Sequence, residues 1–445
     1  MTSPTLNQLP PEIILDISDC LTSVDIKSLS LVDKTIRQHM VPQLFKHVKV
    51  HCPLPRDHVL RSVVAKYGTY VSSLSLQVTF YPNPPNLSYD GTKVNATCAK
   101  EGWYWNAYPQ SVWARNVDDV PAMYDIIQFK GLPNCTSLTV SADGEDDFAS
   151  PGEWTESRSR DTSFYLFAEP ETYDQVRRAE GKYAWRQAHA EMWRDIARHS
   201  QVERLELTNF LPYKASSWLE PEWAEFLGRL KELSVQSYGR VIRDSWLPYV
   251  APGYNAFYRE IPTFLFAHAK RLECLQIASH ESGFLGANAL QFVPHTLPRL
   301  RTLRLRDVYI TESLEEFLGE HSPSLESLCI DNCVAVGCDA YSPGTPSDPN
   351  WGGFWKAVRK GSPVLREFIC EHIDNRELGG EGIADEDDSL FVWPYVDMED
   401  PYDSASDCLE VNEEELALAN DNQEYRLLME ELARRQQSSL HQSLP

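Results

Sequence analysis

The chain has 445 residues, enough for one large domain or two to three ordinary ones, and its hydrophobic content of 42% allows a buried core. Its formal net charge of −24 argues against nucleic acid and anionic membrane as main partners. The sequence shows no apolar run of membrane-spanning length and no signal peptide, and its 10 cysteines are scattered, so we expect a cytoplasmic or nuclear protein with reduced thiols.

The first helix is predicted from an apolar stripe just after Pro10 and Pro11. Ile13, Ile17 and Leu21 are four residues apart, and Ile14 lies beside them. The two prolines suit a first helical turn, where no backbone N–H is needed.

Two further short helices follow. Thr22 and Asp25 have the spacing of a capping box, which opens a second helix. A third helix is predicted to start near Asp33 and to stop before Pro42, because a proline disfavours helix at the residue before it. Three short helices are near the lower size limit for an independent domain, so their apolar stripe needs a partner. That partner is either the larger domain behind them or another protein.

The same stretch resembles an F-box. The resemblance is carried, in family order and spacing, by Leu9-Pro10-x-Glu12-Ile13-Ile14, Leu21, Asp25-Ile26, Leu29-Ser30-Leu31-Val32-Asp33-Lys34 and Arg37. It covers about a tenth of the chain, and Ile36 stands where the family often has Trp. The resemblance implies docking on a Skp-type adaptor and, through it, membership of a cullin–RING ubiquitin ligase. The adaptor-facing residues that it implies are Leu9, Pro10, Ile13, Ile14, Ile17, Leu21, Ile26, Leu29 and Val32.

Past Val50 one pattern, apolar-x-x-apolar-x-apolar, recurs eight times. Its copies begin at Val71, Cys135, Val202, Leu230, Leu272, Leu300, Leu325 and Leu365. Such alternation predicts short strands with one buried side, and several of the segments between them are predicted to be helical. The body is therefore predicted to be α/β, either a leucine-rich-repeat-like solenoid over residues 51–378 or a conventional sheet with irregular strands. An F-box followed by such repeats resembles the fungal-type leucine-rich-repeat F-box proteins.

An aromatic insert interrupts the repeats at about residues 81–130. It contains Trp103 and Trp105 among many tyrosines and prolines. It is either a long ordered loop held by buried aromatics or a loop that contacts a substrate, because aromatic side chains dominate binding hot spots. Strand residues between the buried positions point outward, so Arg204, Arg304 and Arg306 join the two tryptophans as candidate substrate-binding residues.

The sequence contains no recognisable catalytic motif. HExxH, a phosphate-binding loop, GxSxG and paired CxxC are all missing, so we expect a non-enzyme without cofactor or metal. Cys329 and Cys333 occupy ordinary repeat positions and are interpreted as structural thiols. His189 and His199 are interpreted as surface histidines.

The last segment, residues 379–445, is predicted to be an acidic, partly disordered tail with one helix from about Glu413 to Arg435. From Glu371 onward there are 21 acidic and 4 basic residues. The tail is either a solubilising segment or a lid that folds over the repeats through Phe391 and Trp393.

The sequence as a whole predicts a substrate-recognition subunit of a Skp–cullin–F-box ubiquitin ligase, which binds a protein target through its repeats. The alternatives are an interaction scaffold without a role in ubiquitination and, less in keeping with the missing motifs, an enzyme on an atypical α/β fold.

Overall fold

The computed structural model describes residues 9–55, 58–78, 111–114, 116–141, 172–182, 184–210, 213–237, 240–241, 254–279, 283–285, 290–320, 322–336, 350–371, 395–396 and 421–442. The chain divides into two compact units. The first comprises Met1–Ser150, Arg177–Leu205 and Ala215–Phe226, and the second comprises Pro151–Val176, Glu206–Lys214 and Leu227–Pro445.

The three predicted N-terminal helices are confirmed as α1 (Pro11–Asp19), α2 (Ser23–Ser30) and α3 (Lys34–Leu44). Thr22 Oγ1 accepts the N–H of Asp25 at 3.3 Å, which is the predicted cap of α2. The prediction that α3 stops before Pro42 is wrong. The helix continues to Leu44, and Phe45 N–H still reaches the carbonyl of Val41 at 3.2 Å. Leu44 packs on the core of these helices, and this packing outweighs the backbone hydrogen bond that the proline removes.

The strands, in chain order, are β1 His47–Cys52, β2 Ser73–Val78, β3 Ser137–Ser141, β4 Arg204–Thr208, β5 Glu232–Ser237, β6 Arg240–Val241, β7 Cys274–Ser279, β8 Gly283–Phe284, β9 Thr302–Arg306, β10 Tyr309–Ile310, β11 Ser327–Asp331, β12 Val334–Val336, β13 Glu367–Glu371 and β14 Tyr395–Val396. Nine of them form a parallel sheet in the order β1-β2-β3-β4-β5-β7-β9-β11-β13. Two smaller sheets, β10-β12-β14 and the antiparallel pair β6-β8, complete the strands of the described residues.

All eight copies of the sequence pattern are strands of this sheet, so the α/β prediction is confirmed. Equivalent positions of the pattern pair in register. Leu275 faces Leu303, and Leu303 in turn faces Leu328. These leucines are fully buried. The alternation in sequence therefore becomes continuous apolar rows on one side of the sheet.

Strand β1 is a ninth copy of the pattern that the sequence interpretation missed. Phe45-x-x-Val48-x-Val50 has the same spacing, and Val48 and Val50 pair with Leu74 and Leu76. Because β1 ends at Cys52, it runs across the domain boundary expected after residue 50.

The remaining helices are α4 Leu60–Tyr67, α5 Val120–Ile127, α6 Tyr173–Lys182, α7 Ala184–His199, α8 Pro221–Arg229, α9 Tyr254–Arg259, α10 Ile261–Phe264, α11 Glu312–Glu320, α12 Trp351–Gly361 and α13 Asp421–Gln442. Several segments between the strands are helical, as predicted: α6 and α7 precede β4, α8 precedes β5, and α11 precedes β11. Small side chains allow the ends of α11 and α12 to approach closely. A Cβ atom added at Gly361 would lie 1.8 Å from the carbonyl oxygen of Leu318.

A sharp corner follows three of the parallel strands. Asn209, Asp307 and Asn332 have φ values of 49°, 55° and 48°, the left-handed region that Asn and Asp tolerate best. The Asn332 side-chain amide donates a hydrogen bond to the Asp307 carboxylate. Burial raises the pKa of Asp307 to about 6, although the hydrogen bond from Asn332 acts in the opposite direction. After two of these corners the chain enters β10 and β12, which pair in parallel.

The C-terminal helix is present as α13, Asp421–Gln442, and it extends beyond the predicted end at Arg435. The predicted start at about Glu413 lies outside the described residues. Leu428 and Leu432 are buried, as its predicted apolar side requires. The helix packs on α12. Asp421 Oδ1 accepts the N–H of Gly352 at 2.6 Å, and Glu424 pairs with Arg359 at 2.7 Å.

Later residues of α13 also bind the end of α12. Arg435, the predicted end of the helix, donates to the carbonyl of Ser362 at 2.8 Å, and the helix continues past it to Gln442. Tyr395 and Val396 of β14 pair with β12, which attaches the acidic segment at a second place. Phe391 and Trp393, on which the lid hypothesis depends, lie outside the described residues, as does the expected boundary at 379.

The interpretation of His189 as a surface histidine is wrong. Its side chain is fully buried on α7, where Nε2 accepts the indole N–H of Trp193 at 2.9 Å. Burial, with a smaller contribution from Arg186, lowers the pKa of His189 to about 3, so the ring is neutral. His199 is exposed, as predicted.

Candidate functional site

The N-terminal helices have a small core of their own. It consists of Ile14, Ile36 and Met40, which are at most 2% exposed. Leu9, Ile26, Leu29 and Leu44 are partly buried and pack against it. The nine residues assigned to adaptor docking are therefore divided by the structure. Ile14 belongs to the interior of the unit and is not available to a partner.

Other members of the assigned set face solvent. Pro10, Ile13 and Val32 are exposed, and Ile17 and Leu21 are half-buried. The sequence interpretation also missed two exposed apolar residues, Val24 and Leu31. The exposed fractions are 44% for Ile13, 66% for Val24, 76% for Leu31 and 71% for Val32. Among the described residues, twelve large apolar side chains are exposed, and four of the twelve lie within this 20-residue stretch.

The local structure explains why Leu31 and Val32 are exposed. Helix α2 ends at Ser30, so both residues lie in the turn before the Asp33 cap of α3. Asp33 Oδ1 accepts the backbone N–H groups of Thr35 and Ile36, and these hydrogen bonds lower its pKa. The cap fixes the start of α3 and holds the two apolar side chains in a short turn. A helical stripe does not predict this exposure, because neither residue is helical.

The helices are joined closely to the first strands. The carbonyl of Lys46 accepts the N–H groups of Ser72 and Ser73 at 2.9 and 3.1 Å. The rings of Phe45 and Tyr67 stack with their centroids 3.9 Å apart. The helical unit is therefore held by the start of the sheet as well as by its own core.

The candidate substrate-binding residues are only partly brought together. Arg304 and Arg306 lie on the same outward side of β9, Arg304 exposed and Arg306 half-buried. Arg306 Nε lies 3.5 Å from Asp307 Oδ2. Arg204 is exposed on β4 in the first compact unit. Trp103 and Trp105 lie outside the described residues. Trp113 of the same insert is buried, and its ring meets that of Tyr124 edge to face at 6.0 Å.

The described part of the chain offers no metal centre. No group of three or more His, Cys, Asp or Glu side chains there is arranged to hold a metal ion. Cys329 and Cys333 are free thiols, and burial raises the pKa of Cys333. In the same part of the chain, no helix combines the length and the apolar character that crossing a membrane requires.

Comparison with known proteins adds no relative. No family model matches the sequence, and no curated protein matches it. The fold and these surfaces define an α/β protein with a parallel sheet and an N-terminal helical unit that exposes large apolar side chains.

Proposed function

We propose that the protein is the substrate-recognition subunit of a Skp–cullin–F-box ubiquitin ligase. The observation that carries the proposal is the exposure of Ile13, Val24, Leu31 and Val32 in the helices whose sequence resembles an F-box. A Skp-type adaptor covers these side chains. Ile14, Ile36 and Met40 hold the helices together and do not meet the adaptor.

The size of the exposed surface supports a docking role. Fully burying one exposed side chain of this size contributes roughly 1.5–3 kcal/mol, and these four are between 44% and 76% exposed, so together they contribute roughly 4–8 kcal/mol before other terms. Association costs about 4–15 kcal/mol in lost freedom of motion. These terms are of similar size, so the partly buried Leu9, Ile17 and Leu21 are needed as well, and the loss of one anchor is expected to weaken binding strongly.

The rest of the chain is proposed to hold the target protein. Parallel strands with buried leucines in register, linked by helices, support a leucine-rich-repeat-like solenoid. Helix α13 packs on the last repeat helix and covers its apolar side, as a terminal cap of a solenoid does. A bound target then meets the ubiquitin carrier at high effective concentration, which accelerates transfer without chemistry by this chain.

The test uses a reconstituted ligase containing a Skp-type adaptor, a cullin–RING module and the full-length protein. Partners are captured by affinity purification with and without proteasome inhibition, and each is offered as a substrate. We expect ubiquitination of a captured partner that Ile17→Asp abolishes, while capture by the repeats continues. If the adaptor binds but no captured partner is ubiquitinated, the protein is an adaptor-linked scaffold instead.

A further inference from the structure

The outward side of the first three strands has a composition unlike the rest of this acidic protein. Its nine residues are His47, Lys49 and His51 on β1, Ser73, Ser75 and Gln77 on β2, and Ser137, Thr139 and Ser141 on β3. No carboxylate is among them, although the chain has 65 acidic residues and 41 basic ones. All three β1 residues are exposed, and the residues of β2 and β3 are half-buried. We call these nine residues the hydroxyl face.

The three strands pair in register, so the side chains of the hydroxyl face form straight rows. One row is His47, Ser73 and Ser137, and the next is Lys49, Ser75 and Thr139. Serine and threonine are short and both donate and accept hydrogen bonds, so a ligand backbone is able to lie close to β2 and β3.

Arg204 on β4 extends the row of His47, Ser73 and Ser137 beyond β3. The carbonyl of Thr136 accepts the N–H of Arg204 at 3.1 Å, just as the carbonyl of Ser72 accepts that of Ser137. Arg204 therefore follows Ser137 in the row, and it is exposed. Glu206, two residues further along β4, is acidic and ends the carboxylate-free surface there.

Fixed positive charges therefore lie at both edges of the hydroxyl face. Lys46 and Lys49 are exposed at β1, and Arg204 is exposed at β4. His47 is exposed but partly desolvated, and this desolvation, with a smaller contribution from Lys46, lowers its pKa, so the ring adds no fixed positive charge at neutral pH. The face of the second unit differs, because Arg304 and Arg306 there share it with Glu232, Asp331 and Glu367.

We propose that the hydroxyl face, with its own Lys49 at one edge and Arg204 beside the opposite edge, binds an extended acidic segment of a partner protein. Strands lie about 4.8 Å apart, so Lys49 and Arg204 are roughly 15 Å apart, which an extended chain crosses in about five residues. Acidic side chains near both ends of such a segment pair with the cations, and its backbone bonds to the hydroxyls. This surface lies outside α1–α3, so the proposal goes beyond adaptor docking and does not depend on it.

The test measures binding of a fluorescein-labelled peptide in which glutamate alternates with serine over about ten residues. The matched peptide has glutamine in place of glutamate. Binding to the full-length protein is followed by fluorescence anisotropy at low salt. We expect the glutamate peptide to bind at least about tenfold more tightly than the glutamine peptide, because the latter cannot pair with Lys49 and Arg204.

Two charge reversals with the same change in net charge separate the site from the general field of the protein. Lys49→Glu with Arg204→Glu is expected to reduce binding of the glutamate peptide to the glutamine level. Arg61→Glu with Lys66→Glu, two exposed positions on α4, is expected to leave most of it. Circular dichroism melts establish that both variants are folded. Equal effects of the two pairs would overturn the proposal, and so would tighter binding of a single-stranded oligonucleotide than of the glutamate peptide.

Discussion

Replacing Leu428 by alanine tests whether the C-terminal helix is an integral part of the fold. Leu428 is fully buried between α13 and its neighbours, and Tyr425, one turn earlier, meets Trp355 with ring centroids 5.5 Å apart. A buried Leu→Ala change costs about 2–5 kcal/mol, from lost transfer free energy and the cavity that remains. The matched control is Met429→Ala on the same helix, where the side chain is 40% exposed and the expected cost is within about 0.5 kcal/mol.

Urea denaturation measures the loss of stability, and hydrogen exchange locates it. We expect Leu428→Ala to speed amide exchange in α13 and in α12, because the stability of a helix in a protein comes mostly from the packing of its apolar face, which the cavity weakens. Met429→Ala should leave both segments protected. If the two variants exchange and unfold alike, the helix is not docked as described, and the interpretation as a separate solubilising tail is the better one.

Two further predictions concern the close approach of α11 and α12 and the corner at Asp307. Gly361→Ala places a Cβ atom 1.8 Å from the carbonyl oxygen of Leu318 and should lower the free energy of unfolding by at least about 1–3 kcal/mol. Gly181→Ala, whose added Cβ atom has nothing within 4 Å, should raise the free energy of unfolding by about 0.5–1 kcal/mol. Thermal melts that rank the two variants equally would contradict the close approach of α11 and α12. The pKa of Asp307 rises from 3.8 to about 6, which corresponds to about 3 kcal/mol against the ionised carboxylate. Asp307 therefore contributes fully to stability below pH 3.8, and this contribution is lost as pH rises through about 6. Of the charged groups beside it, Arg306 lowers its pKa and Asp331 raises it. The Asp307→Asn variant should be as stable as the wild type near pH 4 and more stable at pH 7.5. Denaturation curves that show the same difference in stability at both pH values would refute a raised pKa for Asp307.

The strands were the most predictable part of this fold. The apolar-x-x-apolar-x-apolar pattern identifies eight of nine parallel strands, because each buried position recurs in every repeat and pairs with its equivalent. The ninth, β1, was missed because its copy, from Phe45 to Val50, falls inside the stretch assigned to the helices. The strand carries Lys49, on which the proposed acidic-segment site depends.

The side chains of the helices were less predictable, because a helical stripe is broad. Ile13 and Ile14 are adjacent and equally apolar, and only the packing on α3 buries Ile14 and exposes Ile13. His189 and Trp193 lie one turn apart on α7, and the burial of both depends on neighbours that are distant in sequence. The end of α13 depends in the same way on residues distant in sequence, because Arg435 donates to the carbonyl of Ser362 and Gln436 to that of Arg366.

The affinity of the full-length protein for a recombinant Skp-type adaptor is the measurement that tests the proposed function most directly. Val32→Asp places a charge on a 71% exposed apolar residue of the proposed docking surface, and Val59→Asp makes the same change on a 66% exposed residue beside α4. By titration calorimetry, we expect the wild-type protein to bind the adaptor and Val59→Asp to bind it with unchanged affinity. We expect Val32→Asp to bind at least about a hundredfold more weakly, because a lost apolar contact and a buried charge cost about 3 kcal/mol or more. Absence of wild-type binding, or equal affinity of the two variants, would contradict the adaptor-docking account.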